Sequence, residues 1–320
     1  MIGMKNLINV VAALVLCTLL AACRSTRPGG ADVLRVGTYN IRLSPGDRGT
    51  ANDWEVRKGD LVSLVRQMDL DVLGLQEVCP DQAAYLRQEL REFALVGEHR
   101  EADRVSGEAS PIAFRPDRLV AVKGGTFWLS ETPEVPGSKG WNAACPRVCT
   151  WAIFVDLRTQ KSFCFANTHT DHMSAEAREK GLKLILKRLD EVARGLPVIF
   201  TGDHNCRETE IPALAVAKKF DNALYASKSQ PQGPWRTFNG WRFRGNEPAI
   251  MGALMMTPGE RNVAGDDQPF ALQCGGSRID YIYVSPQVSV LGYETHGETR
   301  PGTQLYPSDH FPCVATVKIK

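Results

Sequence analysis

The sequence predicts an α/β fold, and three observations carry that prediction. Segments with the pattern of a strand alternate with segments that have the pattern of a helix along residues 32–320. Nothing in that range resembles an interdomain linker, so we expect a single domain. Hydrophobic residues make up 43% of the chain and charged residues 23%, a balance typical of folded globular proteins. A net charge of +2 argues against a protein held to nucleic acid by its global charge.

The first half of the chain opens with the clearest strand. Residues 34–41 (LRVGTYNI) alternate in polarity and are rich in residues that favour strands. Residues 54–68 have the spacing of an amphipathic helix. Residues 71–77 (DVLGLQE) form an almost continuous apolar run, which predicts a buried strand with Glu77 at its tip. The further elements expected here are a helix over 83–92 and strands over 110–114 and 120–129.

A hairpin is predicted to open the second half, with strands over 150–157 and 162–168. Ser174 is expected to cap a long helix that ends near Arg194, with Gly195 after it. The apolar residues of this helix recur at helical spacing: Leu182, Ile185, Leu186, Leu189 and Val192. Strands over 196–201, 278–284 and 312–319 complete the prediction.

Residues 1–22 have the composition of a signal peptide, with a short apolar core behind a single lysine. The run ends in Leu20-Ala21-Ala22-Cys23, which resembles the cleavage box of a bacterial lipoprotein; a plain signal or an N-terminal anchor are the alternatives. Cys23 would then carry the lipid, and residues 23–31 would form a polar tether. Because Arg24 rather than an aspartate follows Cys23, we expect the outer membrane of the bacterial cell envelope.

Export would place the other seven of the nine cysteines in an oxidising compartment, where disulfides form. An odd number leaves at least one thiol unpaired within the chain. Cys145 and Cys149 make a poor zinc signature, because no second Cys/His pair accompanies them. Buried apolar thiols, with or without one bridge, are the expectation.

Polar residues suited to phosphoester chemistry follow the predicted strands, and four of the six histidines lie among them. Glu77 and Asp309 are hard oxygen ligands of the kind that Mg²⁺ or Mn²⁺ prefers. Asp203 could align or deprotonate an attacking water, and Gly202 is expected to let the backbone turn sharply before it. The candidate residues are Asn40, Glu77, His169, Asp171, His172, Asp203, Asn205, Asp280, Asp309 and His310, and His204 in GDHN is the fourth of these histidines.

Two asparagines and two histidines of this set could bind a phosphoryl group. Asn40 and Asn205 can orient a phosphate or a water without adding negative charge. His169 and His310 can donate hydrogen bonds as imidazolium ions if a carboxylate holds each ring, and Asp280 is the expected partner of His310. Each residue alone more often has a structural role, so the prediction depends on their combination.

The motifs TYN, GLQEV, NTHTDH, GDHN, RIDYIYVS and SDHFP are similar, in order and spacing, to those of the endonuclease/exonuclease/phosphatase superfamily. The resemblance covers about residues 32–320. It implies a four-layer α/β sandwich, in which two mixed β-sheets pack face to face with helices outside and the site lies at one rim. It also implies in-line attack of water on phosphorus, with no covalent enzyme intermediate.

The resemblance implies a role for each matching position. Glu77 corresponds to the principal metal ligand, with Asn40 and Asp309 nearby, and the cofactor would be Mg²⁺ or Mn²⁺. The implied catalytic residues are the water-positioning pair Asp203 and Asn205, and the phosphate-facing His310, supported by Asp280, and His169. For Asp171 and His172, a supporting role behind this site remains open.

Three further segments are similar to a bacterial subgroup of the same family: EASPIAFR, FWLSETP and GWNAACPRVCTW. Within them, Arg147 could bind phosphate as a bidentate donor or could form an ordinary surface ion pair. Glu108 could support His169 by raising its pKa.

A basic and aromatic segment lies between Asp221 and Glu247, which encloses no acidic residue. Its cations and aromatic residues interleave: Lys228, Trp235, Arg236, Phe238, Trp241, Arg242, Phe243 and Arg244. The segment is either a substrate lip, in which Arg242 and Arg244 bind the ligand, or a hairpin with a solvated basic face.

The sequence thus predicts a divalent-metal-dependent phosphoester hydrolase, of phosphodiesterase or nuclease type, at the cell envelope. Its substrate would be a nucleic acid or a small phosphate ester, with no protein partner evident. A phosphomonoesterase acting on sugar or inositol phosphates is the alternative within enzymes. A non-catalytic binding lipoprotein is the alternative outside them.

Overall fold

The computed structural model describes residue 30, residues 32–242, residue 250 and residues 278–320. Val33–Lys320 form one compact unit. The predicted signal segment, Cys23, Phe243 and Arg244 lie outside the described residues. In the described ranges, no helix combines the length and the apolar character that crossing a bilayer requires.

Two six-stranded sheets form the centre of the described fold. The first contains β1 (Leu34–Asn40), β2 (Val72–Gln76), β3 (Ala94–Val96), β4 (Ile112–Phe114), β11 (Val288–Thr295) and β12 (Cys313–Ile319). Its strand order is β11-β12-β1-β2-β4-β3, and β1 and β2 are parallel whereas the other pairs are antiparallel.

The second sheet repeats this mixed arrangement. It contains β5 (Leu119–Trp128), β6 (Val148–Asp156), β7 (Ser162–His169), β8 (Val198–Asp203), β9 (Asp221–Asn222) and β10 (Asp280–Val284). The order is β5-β6-β7-β8-β10-β9, with β7 and β8 parallel and the other pairs antiparallel.

Five helices complete the described elements: α1 (Trp54–Gln67), α2 (Pro80–Glu89), α3 (Ala175–Ala193), α4 (Ile211–Ala217) and α5 (Ala223–Ala226). Ser174 caps α3 as predicted, since its side chain accepts a hydrogen bond from the Ala177 amide. The helix α2 begins at Pro80, earlier than predicted, because a proline at the first helical position needs no hydrogen-bond partner for its nitrogen.

The layers follow from alternation along the strands. Val36 and Val72 point into the core between the sheets, where they join Phe165 and Ile282 of the second sheet. Leu73 and its neighbours on the other face of the first sheet pack against α1 and α2, and α3 and α4 cover the second sheet. The predicted four-layer α/β sandwich is confirmed.

Asn167 forms a polar link between the two sheets. Its amide nitrogen donates to the carbonyl oxygens of Leu75 (2.7 Å) and Pro111 (3.0 Å), and its amide oxygen accepts from Gln76 Nε2 (2.6 Å). Gly74 makes room for it, because a Cβ there would lie 2.4 Å from Asn167 Oδ1. This link holds β2 of the first sheet to β7 of the second beside the ends of both strands.

Strand register brings the predicted polar residues to one rim. Asn40 pairs with Gln76 across the parallel strands β1 and β2, so Glu77 follows immediately beside it. Asp203 pairs with His169 on one side and with Asp280 on the other. Gly202 lies in this strand rather than in a sharp turn, and its lack of a side chain allows a close approach, since a Cβ would lie 2.3 Å from the Thr168 carbonyl oxygen.

Several elements have no counterpart in the prediction, namely β3, β9, β11, α4 and α5. The strand β11 pairs with β12 through a register shift between Val290 and Gly292, which interrupts the regular alternation that identifies strands in a sequence.

Candidate active site

A cavity of about 390 Å³ opens at the rim where the strands deliver their polar residues. Most of the predicted site residues line it, from both sheets. The lining residues are Arg42, Leu43, Glu77, Glu108, Arg147, His169, His172, Asp203, Asn205, Phe238, Ile279, Asp309 and His310. Asn40 and Asp280 lie behind this wall, in contact with residues that form it.

Asn40 connects the two sheets at the bottom of the site. Its Nδ2 group donates to Glu77 Oε1 (3.0 Å) and to Asp203 Oδ2 (2.9 Å), and all three side chains are buried. The second oxygen of Glu77 accepts from the Leu43 amide (2.8 Å). An amide donor between two carboxylates relieves part of their mutual repulsion and fixes their separation.

His310 and Asp280 form a buried ion pair. His310 Nδ1 lies 2.8 Å from Asp280 Oδ2, and its Nε2 lies 3.7 Å from Asp203 Oδ2. Burial opposes the charged ring, but the charge of Asp280 and the hydrogen bond outweigh burial and raise the pKa of His310 to about 10. His310 is therefore an imidazolium at neutral pH, with Nε2 directed to the other side of the ring from Asp280.

Asp203 lies at the centre of the site. Its Oδ1 accepts from the Asn205 amide (2.9 Å), and its Oδ2 lies 3.4 Å from His169 Nε2. Burial and the negative charge of Asp280 raise the pKa of Asp203 to about 7, although His310 acts in the opposite direction. A carboxylate with a pKa near neutrality is suited to accept a proton from water.

His169 differs from its prediction in charge. Its Nε2 lies 2.8 Å from Asn205 Nδ2, which donates to it, and its Nδ1 lies 3.9 Å from Glu108. Burial and the positive charge of Arg147 lower the pKa of His169 well below its ordinary value, so the ring is neutral. The prediction that Glu108 raises this pKa is wrong because burial and the nearby cations outweigh one distant carboxylate. Glu108 itself pairs with Arg100 at 2.8 Å.

Two site residues have backbone conformations that are unusual for residues with side chains. Glu77 has φ of 61° and Asn205 has φ of 46°, both in the left-handed region. Such a conformation costs about 1 to 3 kcal/mol and persists where the surrounding structure enforces it. At Glu77 the chain leaves β2, and this turn directs the carboxylate to Asn40 and the cavity.

The donor set at one wall fits a hard divalent cation. The buried carboxylates of Glu77 and Asp309 both line the cavity, with the Asn40 amide beside them. Burial and the charge of Glu77 raise the pKa of Asp309, although His310 and Arg42 act in the opposite direction and Arg42 Nε lies 3.7 Å from Asp309 Oδ2. Separately, Asp203, Asp280 and His310 have ligand atoms within 4.8 Å of one another, a spacing that could also hold a metal ion.

Arg147 contributes a buried guanidinium to the cavity. Its Nη2 donates to His172 Nδ1 (2.9 Å), and carboxylate oxygens of Glu108 and Asp171 lie 3.8 Å away. Arg147 is thus a partly paired cation in the wall rather than a surface ion pair. Asp171 is buried and accepts from the amides of Ala144, Met173 and Ser174, so it shapes the turn before α3.

The described part of the basic and aromatic segment buries a short central stretch and leaves Lys228 and Arg242 exposed, so it matches neither the substrate lip nor the solvated hairpin over its whole length. Trp235, Arg236 and Thr237 are buried, and Phe238 packs on His310 with ring centroids 5.0 Å apart. Arg242 is exposed and does not line the cavity, so its position gives no support to a substrate contact. Arg244, the other predicted substrate-binding residue of this segment, lies outside the described residues.

Residues 237–241 have a positioning role that sequence reasoning missed. Thr237 Oγ1 accepts from the Ile279 and Asp280 amides at 3.0 and 3.1 Å, and the Asn239 amide donates to the Asp309 carbonyl oxygen at 2.8 Å. This segment therefore holds both Asp280 and Asp309 in place. Arg42 was missed too, and its place two positions after Asn40 of the TYN motif was the available signal.

The cysteines contribute no bridge to the described site. The six cysteines among the described residues are all unpaired, and Cys274 lies outside these residues. Cys149 and Cys164 are buried, and burial raises the pKa of each thiol. They behave as the small apolar residues that the sequence predicted.

A family sequence model and similar solved structures all indicate the same protein family. Residues 37–310 match the sequence model of the Endonuclease/Exonuclease/phosphatase family. The structure of an endonuclease/exonuclease/phosphatase from Bacteroides vulgatus is similar at 29% identity, with 90% of this chain and 99% of that chain covered and a TM-score of 0.76. A mannosyl-6-phosphatase from Bacteroides thetaiotaomicron is similar at 31% identity, with 89% and 99% covered and a TM-score of 0.73.

A curated relative extends the comparison to eukaryotes. Human tyrosyl-DNA phosphodiesterase 2 is 26% identical over 163 residues, which is 50% of this chain and 40% of that protein. In three curated relatives, the matched region covers between 30% and 59% of the relative's length.

Proposed function

The chain belongs to the endonuclease/exonuclease/phosphatase family of phosphoester hydrolases, and we propose that it hydrolyses a phosphate ester by direct attack of water on phosphorus. The observation that carries this proposal is the set of contacts around Asp203. Its carboxylate accepts hydrogen bonds from Asn40 Nδ2 and from the Asn205 backbone amide, and the rings of His169 and His310 both lie within 4 Å. A base, a water-orienting amide and a cationic donor are the groups that such a reaction needs.

Glu77, Asp309 and Asn40 would hold Mg²⁺ or Mn²⁺, because they offer the hard oxygen ligands that these ions prefer. When bound, the cation would neutralise charge that develops on the phosphoryl and leaving oxygens. We favour this wall over the trio of Asp203, Asp280 and His310, since the imidazolium of His310 already balances the carboxylates there.

Each of the other site residues would have its own role in the reaction. Asp203 would accept a proton from the attacking water, which Asn205 helps to orient. His310 would donate a hydrogen bond from Nε2 to a phosphoryl oxygen, while Asp280 keeps the ring charged. His169, neutral and held by Asn205, would contribute polarity and shape rather than charge.

Among ester classes we favour a small phosphate monoester such as a sugar phosphate. A terminal phosphate carries more negative charge than a diester, and Arg42, Arg147 and His310 bring positive charge to the cavity. A volume of about 390 Å³ suits a single small ligand. The similarity to a mannosyl-6-phosphatase supports the same class.

A phosphodiester is the second candidate, and the sequence by itself favoured it. The similarity to tyrosyl-DNA phosphodiesterase 2 supports this class. The two candidates need the same metal and the same histidines, so only substrate preference separates them.

The test measures phosphate release from hexose 6-phosphates, and nitrophenol release from bis(p-nitrophenyl) phosphate, by the purified full-length chain. We expect the monoester to be preferred, EDTA to abolish turnover and added Mg²⁺ or Mn²⁺ to restore it. Glu77→Gln should lower kcat/KM by roughly a hundredfold or more, since it removes a charged ligand. Glu55→Gln, on the exposed face of α1, is the matched control and should leave kcat/KM unchanged. Full turnover in excess EDTA would contradict the proposal, and faster diester cleavage would select the second candidate.

We also propose, from the sequence of residues 1–23 alone, that the chain is exported and anchored by a lipid on Cys23. Labelling of cells that express the chain with a radioactive fatty acid should mark the wild-type protein. Cys23→Ser should abolish the label, and an unlabelled wild-type chain would rule the anchor out.

A further inference from the structure

Arg57 is a fully buried arginine in the first turn of α1, and the sequence did not single it out. Among the described residues, its guanidinium donates only to backbone carbonyl oxygens. Nη1 donates to Ile41 (2.7 Å) and Pro307 (3.0 Å), Nη2 to Arg42 (2.7 Å) and Nε to Asn52 (3.0 Å). A buried charge is costly unless hydrogen bonds satisfy it, so this set of acceptors is what keeps the side chain in place.

These carbonyl groups belong to the backbone beside two of the proposed metal ligands. Ile41 directly follows Asn40 at the end of β1, and Pro307 lies two positions before Asp309. One guanidinium group therefore joins two turns that are far apart in the sequence. Ser308 adds a second link, because its hydroxyl donates to the Asn40 carbonyl oxygen at 2.7 Å.

Two indole rings lie close to the guanidinium. Its Cζ atom lies 5.1 Å from the ring centroid of Trp54 and 5.4 Å from that of Trp241. Trp241 ends the segment 237–241, whose Asn239 amide bonds to the Asp309 carbonyl oxygen. The planar fork of an arginine can serve acceptors in several directions at once, whereas a lysine ammonium is a point charge on a flexible stem.

We infer that Arg57 is a positioning residue for the metal site: it holds the turn after Asn40 and the turn before Asp309 at a fixed separation. The inference rests on the proposed function, since it requires a cation on Glu77, Asn40 and Asp309. Arg57 does not line the cavity, so it acts without touching substrate or metal. Without it, the two ligand-bearing turns would separate and bind the cation more weakly.

The test is Mn²⁺ binding by the full-length chain without substrate, measured from the electron paramagnetic resonance signal of free Mn²⁺. Arg57→Lys should raise the Kd by roughly tenfold, the loss expected when a group that orients metal ligands is removed. Arg118→Lys is the matched control. Arg118 is also buried and donates to the Val33 carbonyl oxygen at the start of β1, about 20 Å from Asn40 along the strand.

Thermal unfolding in EDTA shows how far each substitution destabilises the fold. Arg118→Lys should leave the Kd within about twofold even where it lowers the Tm as much as Arg57→Lys does. Trp241→Leu keeps the proposal testable if Arg57→Lys does not fold, because Trp241 is only partly buried. It should raise the Kd by roughly threefold, and Trp241→Phe, which retains a ring, should raise it less.

Two negative results have different meanings. If the wild-type chain does not bind Mn²⁺, the metal part of the proposed function is wrong and this inference is wrong with it. If the wild-type chain binds Mn²⁺ and neither Arg57→Lys nor Trp241→Leu weakens binding relative to Arg118→Lys, the inference alone is overturned.

Discussion

His310 Nδ1 lies 2.8 Å from Asp280 Oδ2 inside a site where both side chains are buried. This pair makes the ring a permanent cation at neutral pH, since it raises the pKa of His310 to about 10. A buried cation of this kind can donate to a phosphoryl oxygen whose negative charge grows during the reaction. The pair therefore predicts a particular dependence of turnover on pH.

Asp280→Asn should lower kcat by roughly a hundredfold at pH 8, the loss typical of removing one charge-stabilising donor. Activity that needs protonated His310 falls as the pH rises through its pKa, so the wild-type chain should keep its activity to about pH 10. In Asp280→Asn the ring stays buried but loses its carboxylate partner, so the pKa of His310 should fall. The loss of activity at high pH should therefore begin at a lower pH than in the wild-type chain. Profiles of kcat from about pH 6 to pH 10.5 test this, with Asp190→Asn on α3 as control; a loss that begins at the wild-type pH contradicts it.

Arg147→Met should raise KM for a phosphate monoester by roughly tenfold while kcat changes less, if Arg147 binds the phosphate equally in the ground and transition states. The matched control is Arg158→Met, in the exposed turn between β6 and β7. Steady-state kinetics at saturating metal separate the two constants. An unchanged KM would leave Arg147 as a structural cation that holds Glu108 and His172.

His204→Phe should stabilise the protein by about 1 to 2 kcal/mol, because it removes a buried polar group without a partner. His204 is fully buried among Phe200, Tyr281 and Tyr283, and neither ring nitrogen has a hydrogen-bond partner among the described residues. A phenyl ring is planar and aromatic like imidazole, although somewhat larger, and it needs no hydrogen-bond partner.

The same substitution should reduce sensitivity to acid. Burial lowers the pKa of His204 to about 3, so the unfolded chain, with an ordinary histidine, binds the proton more readily. Protonation of this histidine in the unfolded chain does not lower the free energy of unfolding above about pH 6.5, and lowers it progressively as the pH falls towards 3. Urea unfolding at pH 7.5 and pH 5.5 checks this: the gain from His204→Phe should be larger at the lower pH, and an equal or smaller gain there refutes the explanation.

Asn167→Ala should lower the free energy of unfolding by about 2 to 4 kcal/mol, because it leaves the buried carbonyl oxygens of Leu75 and Pro111 without their donor. Asn142→Ala provides the comparison, since Asn142 is exposed and its side chain contacts only Glu176 among the described side-chain hydrogen bonds. Urea unfolding at neutral pH measures both. A loss below about 1 kcal/mol for Asn167→Ala would mean that the link between the sheets contributes little.

Local pattern predicted the elements that border the site. The alternation of residues 34–41 and the apolar run of 71–77 gave β1 and β2, and both strands end where the polar residues begin. The helix capped by Ser174 was equally clear, because a cap, a periodic apolar face and a glycine stop agree with one another. By contrast, β11 carries a register shift, and the short β9 and α5 contain too few residues to show any period.

The errors within the site concern interactions between distant residues. The pKa of His169 was predicted to rise because Glu108 is acidic, but it falls because burial and Arg147 dominate. For the basic and aromatic segment the sequence left a lip and a solvated hairpin open, whereas in the structure Thr237 is buried and bonds to Asp280, and Asn239 bonds to Asp309. A short sequence pattern determines neither how deeply a side chain is buried nor which charged group lies nearest to it.

The sequence by itself determined the strands, the main helices and the chemical types at the strand ends, because these depend on side-chain period and on residue type. Only the tertiary structure decided which of those groups meet, which are charged and what holds them: Asn40 between Glu77 and Asp203, a neutral His169 beside a cationic His310, and Arg57 behind the ligand-bearing turns. The physical reason is that desolvation and electrostatic interaction depend on distances in space, and strands far apart in the chain come together only when the two sheets pack.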